Sequence, residues 1–161
     1  MKYKFDASVK MDSTFIAEEY FSAVLSFSSE ELNNHFIEFN YKNTDMFEIS
    51  VHPVTHVIKR FTLTLCNHFS IIDRDISVPD CIDGTMMIFD PDSTECETFT
   101  VNLYNNGMVI KLSSQMPRLC YKSGNLVFAV GENDVLTEVY LINLTETEVN
   151  HVKNELYLGT E

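Results

Sequence analysis

The tripeptide Asn105-Asn106-Gly107 lies between two runs in which apolar residues recur at alternate positions, Phe99-Val101-Leu103 before it and Val109 to Leu112 after it. An Asn-Gly pair able to adopt positive φ closes a two-residue hairpin whose twist matches its strands, so this stretch is committed to antiparallel pairing. Ser123-Gly124-Asn125 repeats the device between Cys120-Tyr121 and Leu126 to Val130, and Val135 to Leu144 reads as a further strand after Gly131-Glu132-Asn133-Asp134. Loops this short cannot join parallel strands, so the second half is expected to be largely an antiparallel meander.

The period of two also governs the first half. Ile37, Phe39 and Tyr41 alternate with Glu38, Asn40 and Lys42, and Phe47, Ile49 and Val51 resume the pattern after a polar turn at Asn43 to Asp45, which predicts a second hairpin. Val57, Phe61, Leu63 and Leu65, with Thr62 and Thr64 between them, predict a third strand; a helix start after Pro53 is the alternative, and the β-branched and aromatic content favours strand. Between Asn67 and Thr98 only Thr85 to Phe89 reads as a whole strand.

Helical spacing is confined to the ends. Asp12, Ser13 and Thr14 can cap a helix whose apolar stripe is Phe15, Ile16, Tyr20, Phe21, Val24 and Leu25, and Ser28 with Glu31 has capping-box spacing for a short second turn. Thr145 with Glu148 is another capping box, followed by Val149, Val152 and Leu156 at spacings of three and four. The expected fold class is α+β: a mostly antiparallel β-sheet or β-sandwich of about eight or nine strands with a helix near each terminus. The 161 residues, 45% of them hydrophobic, are enough for one core, and no linker or internal repeat divides them, so residues 1–161 are expected to form a single domain.

Charge constrains the partner. The chain carries 24 Asp and Glu against 11 Lys and Arg, a formal net of −13. Asp73, Asp75, Asp80, Asp83, Asp90, Asp92, Glu95 and Glu97 face only Arg74 between positions 73 and 97, so that segment holds more than half of the surplus. Polyanionic phosphate needs clustered Lys and Arg that release counterions, which argues against nucleic acid and anionic membrane surfaces as direct partners. A field of one sign accelerates encounter with a basic protein instead, and these eight carboxylates are the candidate partner-binding residues. No run approaches the ~20 apolar residues that span a bilayer, and residues 1 to 6 lack the apolar core of a signal peptide, so a cytoplasmic location is expected. Cys66, Cys81, Cys96 and Cys120 lie far apart with no C-x-x-C pair, which predicts four free, mostly buried thiols.

Chemistry-bearing motifs are weak. His52-x-x-x-His56 and Cys66-x-His68 offer four ligand types, but strand residues four apart are separated by about 13 Å and cannot share one zinc. Asp90-Pro91-Asp92-Ser93-Thr94-Glu95 has Glu95 where a calcium loop needs Gly and Val101 where it needs a bidentate Glu. There is no G-x-S-x-G, no phosphate-cradling glycine loop and no dinucleotide fingerprint. No catalytic residue, metal or cofactor is assigned.

In size, acidity and the cluster Asp73 to Glu97, the chain resembles small acidic bacterial immunity proteins, including those paired with contact-dependent growth-inhibition toxins. The resemblance implies a stoichiometric inhibitor that covers the active site of a basic cognate toxin, such as a nuclease, whose nucleic-acid cleft carboxylates can occupy. An alternative is an acidic secretion chaperone: a helix at Ser13 to Leu25 followed by strands from Phe36 to Leu65 is similar to the opening order of that family, although the meander from Phe99 to Leu144 has more strands than that pattern expects. A third reading, an enzyme of unrecognised type, requires a concave pocket with convergent polar groups.

Overall fold

In the computed structural model, which describes residues 1–27, 34–90 and 94–159, the chain runs through β1 (Tyr3–Asp6), β2 (Thr14–Phe15), β3 (Ala23–Ser26), β4 (His35–Tyr41), β5 (Asp45–Val51) and β6 (Ile58–Leu65). Then come β7 (Phe69–Ile71), β8 (Ile82–Asp83), β9 (Thr85–Ile88), β10 (Thr94–Glu95), β11 (Thr100–Tyr104) and β12 (Gly107–Lys111). The last elements are β13 (Leu119–Ser123), β14 (Leu126–Val130), β15 (Leu136–Leu141) and α1 (Glu146–Leu158). One sheet has the order β10-β4-β5-β6-β3-β2, the other β7-β11-β12-β15-β14-β13-β8, and β1 with β9 forms a separate ribbon.

The alternation read in the sequence decides which side chains the two sheets share. Phe39, Phe47, Ile49, Phe61 and Leu63 of the six-stranded sheet meet Met108, Ile110, Leu126, Phe128 and Leu141 of the seven-stranded sheet in one buried cluster. Phe47 is central: its ring stacks on Phe39 at 4.5 Å between centroids and lies 5.3 Å from Phe61 and 6.0 Å from Phe99. The opposite register positions of the seven-stranded sheet, Val109, Cys120, Val127, Ala129, Tyr140 and Ile142, form a second, smaller apolar cluster on its outer side. Helix α1 starts as its capping box predicts, with the Glu148 N–H donating to Thr145 Oγ1 and the Thr145 N–H donating to the Glu148 carboxylate, and it buries Val152 and Leu156 against the main core.

Several expectations need correction. Residues 13 to 25 are not a helix: Tyr20 takes φ 72° and splits them into β2 and β3. An unbroken apolar run such as Ala23-Val24-Leu25 fits a buried strand as well as a buried helix. The open edge of β6, which pairs Ala23 with Leu63 and Leu25 with Phe61, decides for strand. The helix is therefore at the C-terminal end only, among the described residues, and there are fifteen strands rather than eight or nine, because short edge strands such as β2, β8 and β10 carry too few residues to show a period. Ser28 and Glu31 lie outside the described residues.

The meander is also modified. β13, β14 and β15 follow one another as hairpin neighbours, but β12 pairs with β15 and not with β13, a Greek-key order. Three pairings, β10 with β4, β7 with β11 and β8 with β13, are parallel. Pro53 to Thr55 form a turn, its Val54 and Thr55 N–H groups both donating to His52 Nδ1 at 3.1 Å, and β6 follows as a strand.

The β11–β12 hairpin is present, yet Tyr104 pairs with Gly107, so Asn105 and Asn106 make the turn, and neither they nor Gly107 are left-handed. The glycine is needed for another reason. A Cβ on Gly107 would stand 2.7 Å from the Leu141 carbonyl oxygen and 3.0 Å from the Ile76 side chain. At Gly124, by contrast, φ is +57°, as a tight hairpin turn requires.

Candidate functional site

β7 and β8 lie on opposite edges of the seven-stranded sheet, and the ten residues between them, 72–81, must connect those edges. Six strand spacings of ~4.8 Å make that crossing about 29 Å, close to the full reach of ten residues. The segment is therefore a strap. Its packing gives the route: Ile76 and Cys81 press on the outer apolar cluster of Val109, Cys120, Val127, Ala129, Tyr140 and Ile142. The β11–β12 turn pins the strap near its start, with the Ile76 N–H donating to Asn106 Oδ1 at 2.8 Å and the Asn105 N–H donating to the Arg74 carbonyl at 2.9 Å.

With Ile76 and Cys81 turned inward, the strap presents carboxylates outward. Asp73, Asp75, Asp80 and Asp83 are all exposed, from one edge of the sheet to the other. Arg74, between Asp73 and Asp75, places its guanidinium 5.7 Å from the centre of the Tyr104 ring. Between the carboxylates stand half-exposed apolar side chains, Ile71, Val78 and Ile82, each about 40% accessible. Protein interfaces combine apolar contacts with polar and charged neighbours in this way.

The other candidate carboxylates are placed elsewhere. Asp90 is engaged by the Lys2 N–H and lies 3.6 Å from the Met1 amino nitrogen. Glu97 accepts from the Ser114 N–H and from the Ser114 and Ser113 hydroxyls, bonds that hold it below the ordinary carboxylate range, the Ser114 backbone contributing most. Glu95 belongs to β10, an edge strand of the other sheet, and Asp92 lies outside the described residues. The structure thus groups Asp73, Asp75 and Asp80 on the strap, with Asp83 next to it in β8, while Asp90, Glu95 and Glu97 lie elsewhere.

Three further groupings bear on chemistry. Asp45, fully buried, accepts from Thr44 Oγ1 and His68 Nδ1 at 2.9 Å each and from the Asn67 N–H, tying the turn after β6 to the start of β5. Nothing in the sequence singles out Asp45, which reads as one polar turn residue among several. The neighbouring Cys66 thiol donates to the His68 carbonyl at 3.4 Å, not to the imidazole, and burial pushes it up to about 12. Burial likewise raises the thiols of Cys96 and Cys120 to about 11 each and that of Cys81 above its ordinary value, so all four remain protonated at neutral pH.

On the outer face of the six-stranded sheet, Glu38 and Glu48 are direct cross-strand neighbours. Burial, and then the Glu38 charge, raise Glu48 against a smaller opposing effect of Arg60, itself paired with Glu18 at 2.6 Å. A carboxyl whose folded pKa exceeds its unfolded one favours the native state when protonated and opposes it when ionised, so this group costs stability as pH rises through the folded pKa. Glu48→Gln is expected to raise stability at pH 7 by roughly 0.5 kcal/mol, the half-exposed position limiting the gain. The gain should vanish by about pH 3, where the wild-type carboxyl is protonated in both states. Melting temperatures of the two proteins at both pH values measure it.

The strap carboxylates line none of the concavities, although one concavity, lined by Ile71, Tyr104, Asn105 and Lys153, adjoins the start of the strap and another includes Glu95 and Glu97. Of the others, one is lined by Glu19, Tyr20, Thr64, Cys66, Glu155 and Leu158, another by Val9, Met11, Phe27, Val57, Thr85 and Met87, a third by Phe21, Asn34, Phe36, Glu48, Ser50 and Arg60. Among the described residues no group of three or more His, Cys, Asp or Glu is placed to hold a metal ion, and no helix is long and apolar enough to cross a membrane. No protein-family model matches the chain, and no curated protein matches it in sequence.

Proposed function

We propose that the chain is a stoichiometric inhibitor of the immunity-protein type, which docks its acidic strap on a basic protein and covers that protein's active site. The observation that carries this reading is the row of exposed Asp73, Asp75, Asp80 and Asp83 interleaved with half-exposed Ile71, Val78 and Ile82 on an extended strap backed by a rigid sheet. The carboxylates attract and orient a cationic surface, and the apolar side chains supply the contact area that holds it. A surface of this shape acts by occupying a partner, not by turning over a substrate, and a nuclease cleft built to bind phosphate is the complementary partner.

The test is co-expression with the protein encoded by the adjacent reading frame. That neighbour is expected to arrest growth when expressed alone and to be neutralised by this chain in a one-to-one complex. A neighbour without toxicity, or toxicity that persists in the presence of the chain, would overturn the reading.

A further inference from the structure

Cys81, at the end of the strap, and Cys120, in β13, are register neighbours. β8 pairs with β13 in parallel, Ile82 opposite Tyr121 and Asp83 opposite Lys122, so the residues one step earlier on each strand are Cys81 and Cys120. Both thiols belong to the outer cluster, Cys120 buried within it and Cys81, partly exposed, packed against it. The Cys81 S–H donates to the Pro79 carbonyl at 3.0 Å. Neighbouring strands are separated by about 4.8 Å, inside the Cα separation of roughly 4.4–6.8 Å that a disulfide spans without backbone movement. Cys66 and Cys96 pack against the main core on the other side of the sheet.

The geometry points to a redox modification site: Cys81 and Cys120 form a disulfide that fastens the acidic strap to the edge of the seven-stranded sheet. The inference stands independently of what the strap binds. The oxidant is a low-molecular-weight disulfide, and the steps balance without any other electron acceptor. The Cys81 thiolate, the more accessible of the two, attacks one sulfur of the reagent, a mixed disulfide forms, and the first reagent thiol leaves with the proton that Cys81 gave up. The Cys120 thiolate then attacks the Cys81 sulfur, the protein disulfide forms, and the second reagent thiol leaves. Two protein thiols are oxidised and one reagent disulfide is reduced. Asp80 and Asp83 flank Cys81 in sequence, so a cationic reagent is favoured over an anionic one.

The test uses the full chain and cystamine at mildly alkaline pH, which offsets the raised thiol pKa values, followed by alkylation and peptide mapping. A Cys81–Cys120 linked peptide is expected, with Cys66 and Cys96 recovered alkylated. The link closes a loop of about 40 residues, for which chain entropy implies a rise in Tm on the order of 10 °C, reversed by a reducing agent. Amide exchange across residues 76 to 82 should slow in the oxidised form. Cys81 held as a mixed disulfide while Cys120 stays alkylatable, or a link to Cys66 or Cys96 instead, would overturn the inference. In Cys120→Ser the reaction is expected to stop at the mixed disulfide on Cys81; no adduct at Cys81 in that variant would count equally against it.

Discussion

Phe47→Ala is expected to lower the unfolding free energy by about 3–5 kcal/mol. Phe47 has no accessible surface, and three other aromatic rings pack within about 6 Å of its own, one of them stacked. Truncation removes the transfer free energy of the ring and leaves a cavity between two sheets whose backbone ladders resist collapse. Domains of this size have roughly 5–15 kcal/mol to lose, so the variant should be close to unfolding at physiological temperature. Phe36→Ala, at a position on the next strand that is 55% exposed, provides the contrast, with an expected loss within about 0.5 kcal/mol. Urea denaturation of the three proteins gives both values. A Phe47 loss no larger than the Phe36 loss would mean that the two sheets do not share the core described above.

The second large effect is kinetic. Reversing Asp73, Asp75, Asp80 and Asp83 to Lys takes the formal net charge from −13 to −5, two units per substitution, and converts the strap from anionic to cationic. Association with the neutralised partner should slow by roughly ten-fold or more at low salt, with the difference shrinking as salt is added. The side chains are exposed, so the fold should survive, apart from the loss of the Asp73 contact with Asn105 Nδ2 at 3.2 Å. Stopped-flow mixing at several ionic strengths measures the rates. The control is the same charge change at Asp12, Glu19, Glu95 and Glu132, exposed positions off the strap. Equal slowing in both variants would assign the effect to net charge and remove the strap as the docking surface.

The candidate site was legible in composition and illegible in layout. The excess of carboxylates between positions 73 and 97 is plain in the sequence, as are the prolines and aspartates that interrupt any period there. What separates the strap residues from Asp90 and Glu97 is which partner each one meets, the outer face of the seven-stranded sheet for the first group and the N-terminal residues or the Ser113-Ser114 turn for the others. Those partners are 16 to 89 residues away along the chain, beyond any local signal. The Asn-Gly turn makes the same point on a smaller scale: the dipeptide marked the hairpin, but the register moved the turn back by one residue, and the glycine serves to let Ile76 of the strap approach β12.

The sequence alone determined what short-range physics controls: strands wherever side chains alternate, hairpins wherever the turn chemistry allows them, a C-terminal helix opened by Thr145 and Glu148, and a surplus of carboxylates between positions 73 and 97. Tertiary structure decided the rest. It made β2 and β3 strands because β6 offered an unpaired edge, placed β15 beside β12, and drew residues 72–81 across the outer sheet face because β7 and β8 pair on opposite edges. Such outcomes depend on hydrogen-bonding groups left open by distant segments, and pairing between distant segments leaves no period in the chain that a local reading can detect.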